Sequence, residues 1–235
     1  MMGAVVSTET VQLQSDGFTI KAFLARPEEH LGGSPAILIL HEWWGLNEHI
    51  KDIARRFAQA GYVALAADLY SRLGCTVTAD PNEAAVLMEK LSSQASLRDL
   101  NAATNYLKQQ PFVDPWRIGV VGFCMGGTLT LTMATHNSDL KAAVSFYGKV
   151  PPAETIPRFI CPVLFHHGAQ DGWVTRQEVE RLRQGMAQHG KSGEVISYPD
   201  AGHAFFNDTR PEVYRREDAA LAWEQTLSFL ANYLR

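Results

Sequence analysis

The sequence predicts an α/β protein built on a mostly parallel, doubly wound sheet with helices on both faces. Short continuous apolar runs, typical of buried parallel strands, alternate with amphipathic helical segments from residue 36 onwards. Polar residues and glycines follow these runs directly, and doubly wound sheets place their sites beyond the carboxyl ends of the strands. A chain of 235 residues suffices for one large domain, so we expect a single domain over residues 1–235.

The order of the elements follows from these patterns. Partial alternation on both sides of Ser15-Asp16-Gly17 predicts an antiparallel hairpin of residues 5–13 and 18–24. Apolar runs predict buried strands at residues 36–40, 62–67, 118–121, 142–146, 163–166 and 195–198. Helical spacing of apolar side chains predicts helices at residues 48–60, 81–91, 97–109, 128–135, 176–188 and 219–234.

Composition excludes several classes of protein. With 46% hydrophobic and 20% charged residues, the chain has the character of neither a disordered nor a membrane protein. No apolar run approaches the roughly 18 residues of a membrane-spanning helix. A net charge of −4 without a basic cluster argues against nucleic acid as a partner. We expect a monomer or a weak homo-oligomer that binds no membrane.

The cysteines indicate a reducing compartment. Cys75, Cys124 and Cys161 are odd in number and widely spaced, unlike a disulfide framework. The N-terminus lacks the charged and apolar segments of a signal peptide, so we expect a cytoplasmic protein. Adjacent His166 and His167 have no recognised metal-ligand spacing with Cys161, and a strand points neighbouring side chains to opposite faces. We therefore expect neither a metal nor a cofactor.

The strand at residues 118–121 runs into Gly122-Phe123-Cys124-Met125-Gly126-Gly127. This is the Gly-x-Ser-x-Gly nucleophile elbow of α/β-hydrolases with sulfur in place of oxygen. The nucleophile of such a turn usually has a positive φ, and glycines are needed where neighbouring side chains would collide. A buried structural cysteine is the alternative interpretation, since cysteine is often buried. The order of strand, glycines and helix favours the nucleophile.

A cysteine nucleophile needs a base, and the base needs an orienting group. His203, in a Gly-His turn after a predicted strand, is the best base, and Asp171, in a glycine-containing loop, is the best orienting acid. The chain order Cys124, Asp171, His203 is that of α/β-hydrolases. Asp200 is a rival acid, but it lies so close before the histidine that a local turn bond suits it better.

Acyl transfer also needs donors for an oxyanion. In this fold they are the N–H after the nucleophile and an N–H from the loop after an early strand. The backbone N–H groups of Met125 and Trp43 are the corresponding candidates here.

The chain resembles the dienelactone hydrolase family, cysteine members of the α/β-hydrolase fold, from the strand before His41 to the closing helix. The resemblance implies that Cys124 is the nucleophile and that Asp171 and His203 complete the triad. It also implies that Glu42 lies near the thiol and helps to ionise it when substrate binds. The residues that carry the resemblance are Glu42 with Gly45 and Asn47, the segments 68–72 and 122–127, the loop 168–171, and the segment 201–205.

The chain departs from dienelactone hydrolase itself at the two arginines that hold the substrate carboxylate there. One of them corresponds to the helix after Asp80-Pro81, where this chain has Ala84-Ala85-Val86-Leu87, and the other corresponds to Asn207. Arg72 is a possible substitute for these arginines, although a local ion pair with Asp68 is the commoner fate of such a residue. The substrate of dienelactone hydrolase is therefore not implied for this chain.

Several aromatic residues are candidates for the substrate pocket. Trp44, Tyr147 and Phe205 are expected to contact a flat or aromatic acyl portion. Asn207, which offers a neutral amide, and Arg72 are the polar candidates for contact with substrate. Core packing is the alternative role of Trp43, Trp44 and Tyr147, and a solvated strand-end carboxylate is the alternative for Glu42.

The sequence thus predicts a cofactor-independent hydrolase of a small lactone or ester with a Cys–His–Asp triad. A broader carboxylesterase or thioesterase is one alternative, since it would differ only in pocket shape. A non-catalytic ligand-binding protein on the same fold is an alternative of another class, because a fold does not determine a function. The complete set of three residues argues against that last alternative.

Overall fold

The computed structural model describes residues 5–28 and 32–234. Its strands are β1 (Val6–Ser15), β2 (Phe18–Pro27), β3 (Ser34–Leu40), β4 (Val63–Ala67), β5 (Val113–Phe123), β6 (Leu140–Phe146), β7 (Val163–Gly168) and β8 (Gly193–Tyr198). Its α-helices are α1 (Glu48–Gln59), α2 (Pro81–Lys90), α3 (Ser93–Lys108), α4 (Met125–His136), α5 (Arg176–Gln188) and α6 (Arg216–Tyr233). Short 3₁₀ helices lie at Ser71–Leu73 and Ala153–Arg158.

The sheet has the strand order β1-β2-β4-β3-β5-β6-β7-β8. β1 and β2 form the predicted antiparallel hairpin, in a register that pairs Val6 with Pro27 and Ser15 with Phe18. β2 is also antiparallel to β4, whereas the pairs β3 with β4, β6 with β7, and β7 with β8 are parallel. The predicted α/β class with a mostly parallel sheet and an N-terminal hairpin is confirmed.

The chain divides into two compact units, Met1–Val120 and Val121–Arg235, and the division falls within β5. The first unit holds β1 to β4 and α1 to α3, and the second holds α4 to α6 and β6 to β8. The expectation of a single domain over residues 1–235 stays a prediction.

Helix α1 shows how local sequence sets the elements of the first unit. The Asn47 side chain accepts a hydrogen bond from the Ile50 N–H, which caps the helix as predicted. The buried side chains of Ile53 and Phe57 lie on the inward face of α1, which packs on β2 and β4. The chain leaves the helix at Gly61 with a φ of +95°, a conformation that glycine adopts at little cost.

Three helices begin earlier than predicted, and one of them is α6, which begins at Arg216 rather than residue 219. Helix α3 begins at Ser93 rather than residue 97, because the Ser92 side chain accepts a hydrogen bond from the Ala95 N–H and caps the helix. Helix α4 begins at Met125 rather than residue 128, so Gly126 and Gly127 are helical instead of forming a turn. The first turns of α3 and α4 lack the helical spacing of apolar side chains, so a prediction from that spacing places the start of each helix too late.

Close backbone approach explains the glycines around α4. A Cβ atom on Gly122 would lie 2.3 Å from the Gly126 carbonyl oxygen, and one on Gly148 would lie 2.3 Å from the Gly127 carbonyl carbon. Gly148 lies two residues beyond the end of β6, on which α4 packs. Any side chain at Gly122 or Gly148 would push α4 away from the strands that hold it.

The adjacent histidines of β7 point in different directions, as expected of a strand. The fully buried His166 ring contacts the Tyr198 hydroxyl (2.9 Å) and the Thr226 hydroxyl (3.0 Å). The His167 ring contacts the Ser197 hydroxyl (3.2 Å) and the Val174 carbonyl oxygen (3.0 Å). Both ring nitrogens of each histidine thus have a protein partner, as buried polar groups require.

Among residues 5–28 and 32–234, no helix combines the length and the apolar character that crossing a membrane requires. No group of three or more histidine, cysteine, aspartate or glutamate side chains in the same ranges is arranged to hold a metal ion.

Burial of His166 predicts a loss of stability in acid. Desolvation lowers the pKa of His166 from 6.5 to about 3 in the folded protein. At a pH between these two pKa values, His166 binds a proton in the unfolded chain and none in the folded protein. The free energy of unfolding should therefore fall as the pH drops below about 6.5. Urea denaturation at neutral pH and near pH 4 measures this slope. The slope should be smaller in His166→Gln, which does not titrate.

His136→Gln is the matched control, because His136 is an exposed residue at the end of α4. It should keep the slope of the parent protein. Equal slopes in His166→Gln and the parent would show that another group causes the acid sensitivity.

Candidate active site

Cys124 occupies the turn between β5, which ends at Phe123, and α4, which begins at Met125. Its φ is +53°, the strained conformation that the elbow motif predicts and that costs a non-glycine residue roughly 1–3 kcal/mol. The Cys124 N–H donates to the Phe146 carbonyl oxygen (3.0 Å), and its own carbonyl oxygen accepts from the Thr128 N–H (3.1 Å). The turn is therefore held by β6 on one side and by the first turn of α4 on the other.

The other two cysteines are poorly suited to nucleophilic chemistry. Burial raises the pKa of the Cys161 thiol to about 12. Burial, followed by the charge of Asp68, also raises the pKa of Cys75. Both thiols are therefore protonated near neutral pH, and thiols react as thiolates.

Asp171 and His203 are joined by a short hydrogen bond. Asp171 Oδ2 lies 2.7 Å from His203 Nδ1, and Asp171 Oδ1 accepts from the N–H groups of Trp173 (2.7 Å) and Val174 (3.0 Å). Burial alone would raise the pKa of Asp171, but the hydrogen bond and charge of His203 and the two N–H donors outweigh it and lower the pKa. The carboxylate is thus kept ionised and fixed in direction.

The environment of His203 favours the imidazolium form. Burial lowers the pKa of His203. Hydrogen bonds with Asp171 and Cys124, and the charges of the same two groups, raise it by more than burial lowers it, so that the pKa is about 10. His203 is thus hydrogen-bonded to Asp171 on one side and to Cys124 on the other. The rival acid Asp200 has an exposed side chain, and Asp171 is the carboxylate that holds His203. This arrangement can stabilise a thiolate next to an imidazolium.

Two further strained residues flank this hydrogen-bonded series. Tyr147, which follows β6, has a φ of +41°, and Ala204, which follows His203, has a φ of +61°. The Tyr147 ring packs edge-on against the His203 ring, with centroids 5.0 Å apart. Strain of this kind persists only where the surroundings determine the conformation, and it is common at functional sites.

The predicted substrate-binding residues of the second unit are buried. Tyr147 and Phe205 have no exposed surface, and Phe205 packs against the rings of Tyr147 and Tyr198. Asn207 is 1% exposed, and its Oδ1 accepts from the N–H and the hydroxyl of Thr209. As placed, these side chains support the residues around His203, and direct contact with substrate stays a prediction.

Trp173 lies beside His203 and was not among the candidates from sequence. Its ring packs edge-on against the His203 ring, with centroids 5.2 Å apart, and the residue is 38% exposed. Of the aromatic residues in contact with His203, Trp173 is thus the one with a large accessible surface in the described structure. A tryptophan two residues after Asp171, the candidate orienting acid, is the signal that could have identified it.

The strand ends of the first unit carry a separate network. The Leu69 N–H donates to His41 Nε2 (3.0 Å), and the Tyr70 N–H donates to Asp68 Oδ1 (3.0 Å). The Tyr70 hydroxyl donates to the Trp43 carbonyl oxygen (2.9 Å), which fixes the chain just after β3.

Glu42, in the same segment after β3, is 2% exposed, so the alternative of a solvated carboxylate is wrong. Trp44 is 8% exposed and packs against the half-buried Trp43, with ring centroids 4.9 Å apart. The roles predicted for Glu42, Trp44 and the Trp43 N–H stay predictions.

Arg72 pairs with Asp99, and the expected ion pair with Asp68 is wrong. Arg72 Nε and Nη2 donate to the two oxygens of Asp99 at 2.8 and 2.7 Å, and Nη2 also lies 3.2 Å from the Ser15 carbonyl oxygen. The guanidinium stacks on the Phe18 ring at 4.1 Å. Asp99 lies on α3, so the partner is distant in sequence, and the bidentate pair occupies the donors that a substrate carboxylate would need.

Comparisons with known proteins agree with this geometry. The model of the dienelactone hydrolase family matches residues 20–234. The chain belongs to the dienelactone hydrolase family. A Salmonella typhimurium protein provisionally named carboxymethylenebutenolidase is 34% identical, over 97% of this chain and 88% of that protein. A Bradyrhizobium protein provisionally named 2-oxo-3-(5-oxofuran-2-ylidene)propanoate lactonase is 33% identical, over 100% of this chain and 98% of that protein.

A solved structure supports the same assignment. A Klebsiella pneumoniae protein provisionally named a dienelactone hydrolase is 32% identical and has a TM-score of 0.89, covering 97% of this chain and 100% of that chain. The predicted membership in the dienelactone hydrolase family is confirmed, and with it the assignment to hydrolases of the α/β-hydrolase fold.

Proposed function

We propose that this member of the dienelactone hydrolase family hydrolyses a small lactone or ester without a cofactor, using Cys124 as nucleophile, His203 as acid and base, and Asp171 as the orienting group. The observation that carries the proposal is the hydrogen-bonded series from Asp171 through His203 to Cys124. A ligand-binding protein of the same fold would need neither a strained cysteine at a helix N-terminus nor a base held by a buried carboxylate.

In the proposed reaction the Cys124 thiolate attacks the carbonyl carbon of the substrate and forms a tetrahedral oxyanion. The N–H groups of Met125 and Trp43 are the proposed donors to this oxyanion, and losing one such donor typically costs about 10²–10³ in rate. His203 then gives its proton to the leaving alkoxide, which leaves a thioester on Cys124. His203 next takes a proton from water, and the resulting hydroxide releases the acid product and restores the thiolate.

Asp171 keeps His203 in the form that this reaction needs. Its hydrogen bond to Nδ1 leaves Nε2 as the atom that exchanges protons with Cys124 and with substrate. Its negative charge stabilises the imidazolium that is present when the thiolate attacks.

A broader carboxylesterase or thioesterase would use the same residues, so pocket shape is the difference that matters. A panel of lactones, aryl esters and thioesters, assayed with the purified protein, identifies the substrate class. Hydrolysis of none of them would overturn the proposed function.

The nucleophile is the first part of the proposal to test. Cys124→Ala should abolish ester hydrolysis and leave the fold intact, because alanine removes only the sulfur. In the parent protein, iodoacetamide should modify Cys124 far faster than Cys75 or Cys161, whose pKa values are raised. Peptide mass spectrometry after timed alkylation gives the three rates. A Cys124→Ala variant that kept most of its turnover would disprove the mechanism.

Glu42 belongs to the proposal through the family resemblance, in which it helps to ionise the thiol when substrate binds. Glu42→Gln should therefore slow acylation more than it weakens substrate binding. Single-turnover kinetics over a range of substrate concentrations separate the two effects. Glu48→Gln, at an exposed glutamate on the first turn of α1, is the control. An acylation rate in Glu42→Gln equal to that of the parent would remove Glu42 from the mechanism.

The charge of the substrate is the least constrained part of the proposal. Both arginines that hold the carboxylate in dienelactone hydrolase are missing, and a charge-assisted hydrogen bond is worth about 1.5–3 kcal/mol. We therefore expect neutral aryl esters or lactones to have a higher kcat/KM than their carboxylated analogues. The names of the relatives favour the opposite preference, since one contains propanoate and the other carboxymethylene.

Steady-state kinetics on matched charged and neutral lactones distinguish the two outcomes. A clear preference for the charged member would contradict the expectation. If Arg72→Ala then removed that preference, Arg72 would leave Asp99 and bind the carboxylate. If Arg72→Ala lowered kcat/KM equally for both substrates, its role would be structural.

A further inference from the structure

Lys149 lies three residues beyond the end of β6, between the turn that holds Cys124 and the loop that holds Asp171. Its backbone N–H donates to the Thr128 hydroxyl (2.9 Å), and that hydroxyl donates to the Cys124 carbonyl oxygen (3.3 Å). Its side chain extends the other way, and its Nζ donates to the Trp173 carbonyl oxygen at 2.7 Å. One residue therefore contacts the supports of both the nucleophile and the acid.

The peptide group between Trp173 and Val174 connects Lys149 to Asp171. Its carbonyl oxygen accepts from Lys149 Nζ, and its N–H, which belongs to Val174, donates to Asp171 Oδ1 at 3.0 Å. A trans peptide group is planar, and its C=O and N–H point in opposite directions. Fixing the oxygen at Lys149 therefore fixes the direction of the N–H at Asp171. A charged donor at the oxygen also polarises the group and strengthens the N–H as a donor.

Further contacts hold the Lys149 ammonium in this position. Nζ lies 3.0 Å from Glu178 Oε1 and 5.7 Å from the centroid of the Trp173 ring. The Glu178 carboxylate also accepts from the N–H and the hydroxyl of Thr175 (both 2.9 Å) and so caps α5. An ion pair as exposed as that of Lys149 and Glu178 contributes little stability on its own. Its contribution here is to aim Nζ at the Trp173 carbonyl oxygen.

We propose that Lys149 is a positioning residue for the acid of the triad: it orients the Trp173–Val174 peptide group, which in turn orients the Asp171 carboxylate toward His203. The inference rests on the proposed function for its effect on turnover. It predicts that removing the ammonium loosens the hydrogen bond between Asp171 and His203 without changing any residue that touches substrate. Small errors in the position of a catalytic group are costly, as much as about a hundredfold for a shift near 1 Å.

The test uses Lys149→Met, which keeps the length and apolar stem of the side chain and removes the charge and the donors. We expect kcat to fall roughly tenfold while KM changes less than about twofold, because positioning affects the chemical steps more than binding. Lys149→Arg should recover most of kcat, since a guanidinium can donate to both the Trp173 carbonyl oxygen and Glu178.

Lys191→Met is the matched control: Lys191 is also half-buried, and its Nζ donates to the carbonyl oxygen of Phe159. It should leave kcat unchanged.

A second readout does not depend on turnover. The proton on His203 Nδ1, shared with Asp171, should give a downfield proton NMR resonance that is absent from His203→Ala. This resonance should weaken or move upfield in Lys149→Met and persist in Lys149→Arg and Lys191→Met. An unchanged resonance in a folded Lys149→Met variant would overturn the inference, whatever happens to kcat. If Lys149→Met fails to fold, Lys149→Gln, which keeps a neutral donor, replaces it with the same expectations in weaker form.

The two proposals fail in different ways. If the parent protein hydrolyses no ester or lactone, the proposed function is wrong, and the resonance still tests the role of Lys149. If the parent hydrolyses its substrate through Cys124 and neither kcat nor the resonance changes in Lys149→Met, the role of Lys149 is wrong and the function stands.

Discussion

The strained turn at Cys124 is the constraint on which the second unit depends. A non-glycine residue keeps a φ of +53° beyond a strand end only if the backbone on both sides is held tightly. β6 supplies one restraint through the Phe146 carbonyl oxygen, and the first turn of α4 supplies the other. Both require α4 to approach the strands closely, which is why Gly122 and Gly148 have no room for a side chain. The packing of α4 and the geometry of Cys124 therefore depend on the same close approach.

Asp171, the proposed acid, is held in a different way, because a buried charge needs hydrogen-bond partners. Asp171 Oδ1 accepts two backbone N–H groups of its own loop, which leaves Oδ2 for His203. A buried carboxylate would otherwise take up a proton, and the imidazolium next to it would lose its stabilising charge. Lys149 extends the same network by one peptide group, so that charges alternate from Lys149 through Asp171 to His203.

The fold and the residues proposed to react were predictable because their signals are local or lie at strand ends. The elbow motif, the chain order of Cys124, Asp171 and His203, and the apolar runs needed no knowledge of tertiary contacts. Arg72 was assigned the wrong carboxylate, since Asp99 lies 27 residues further along the chain and no local pattern pairs them. Lys149 contacts the backbone carbonyl oxygen of Trp173. Every residue has such an oxygen, so no residue type in the sequence indicates this contact. The starts of α3 and α4 depend on a capping side chain and on helical glycines, which the spacing of apolar side chains does not reveal.

Three strained residues, Cys124, Tyr147 and Ala204, also bear on how tolerant this protein is of heat and of further change. Each costs roughly 1–3 kcal/mol, whereas the net stability of a domain is only about 5–15 kcal/mol. Glycine would relieve the backbone strain itself, because it accepts a positive φ freely. At Cys124 that exchange removes the thiol, and at Tyr147 it removes the ring that packs against His203. Variants with higher melting temperatures are therefore better sought at positions remote from these strand ends, where added stability does not compete with the geometry of the site.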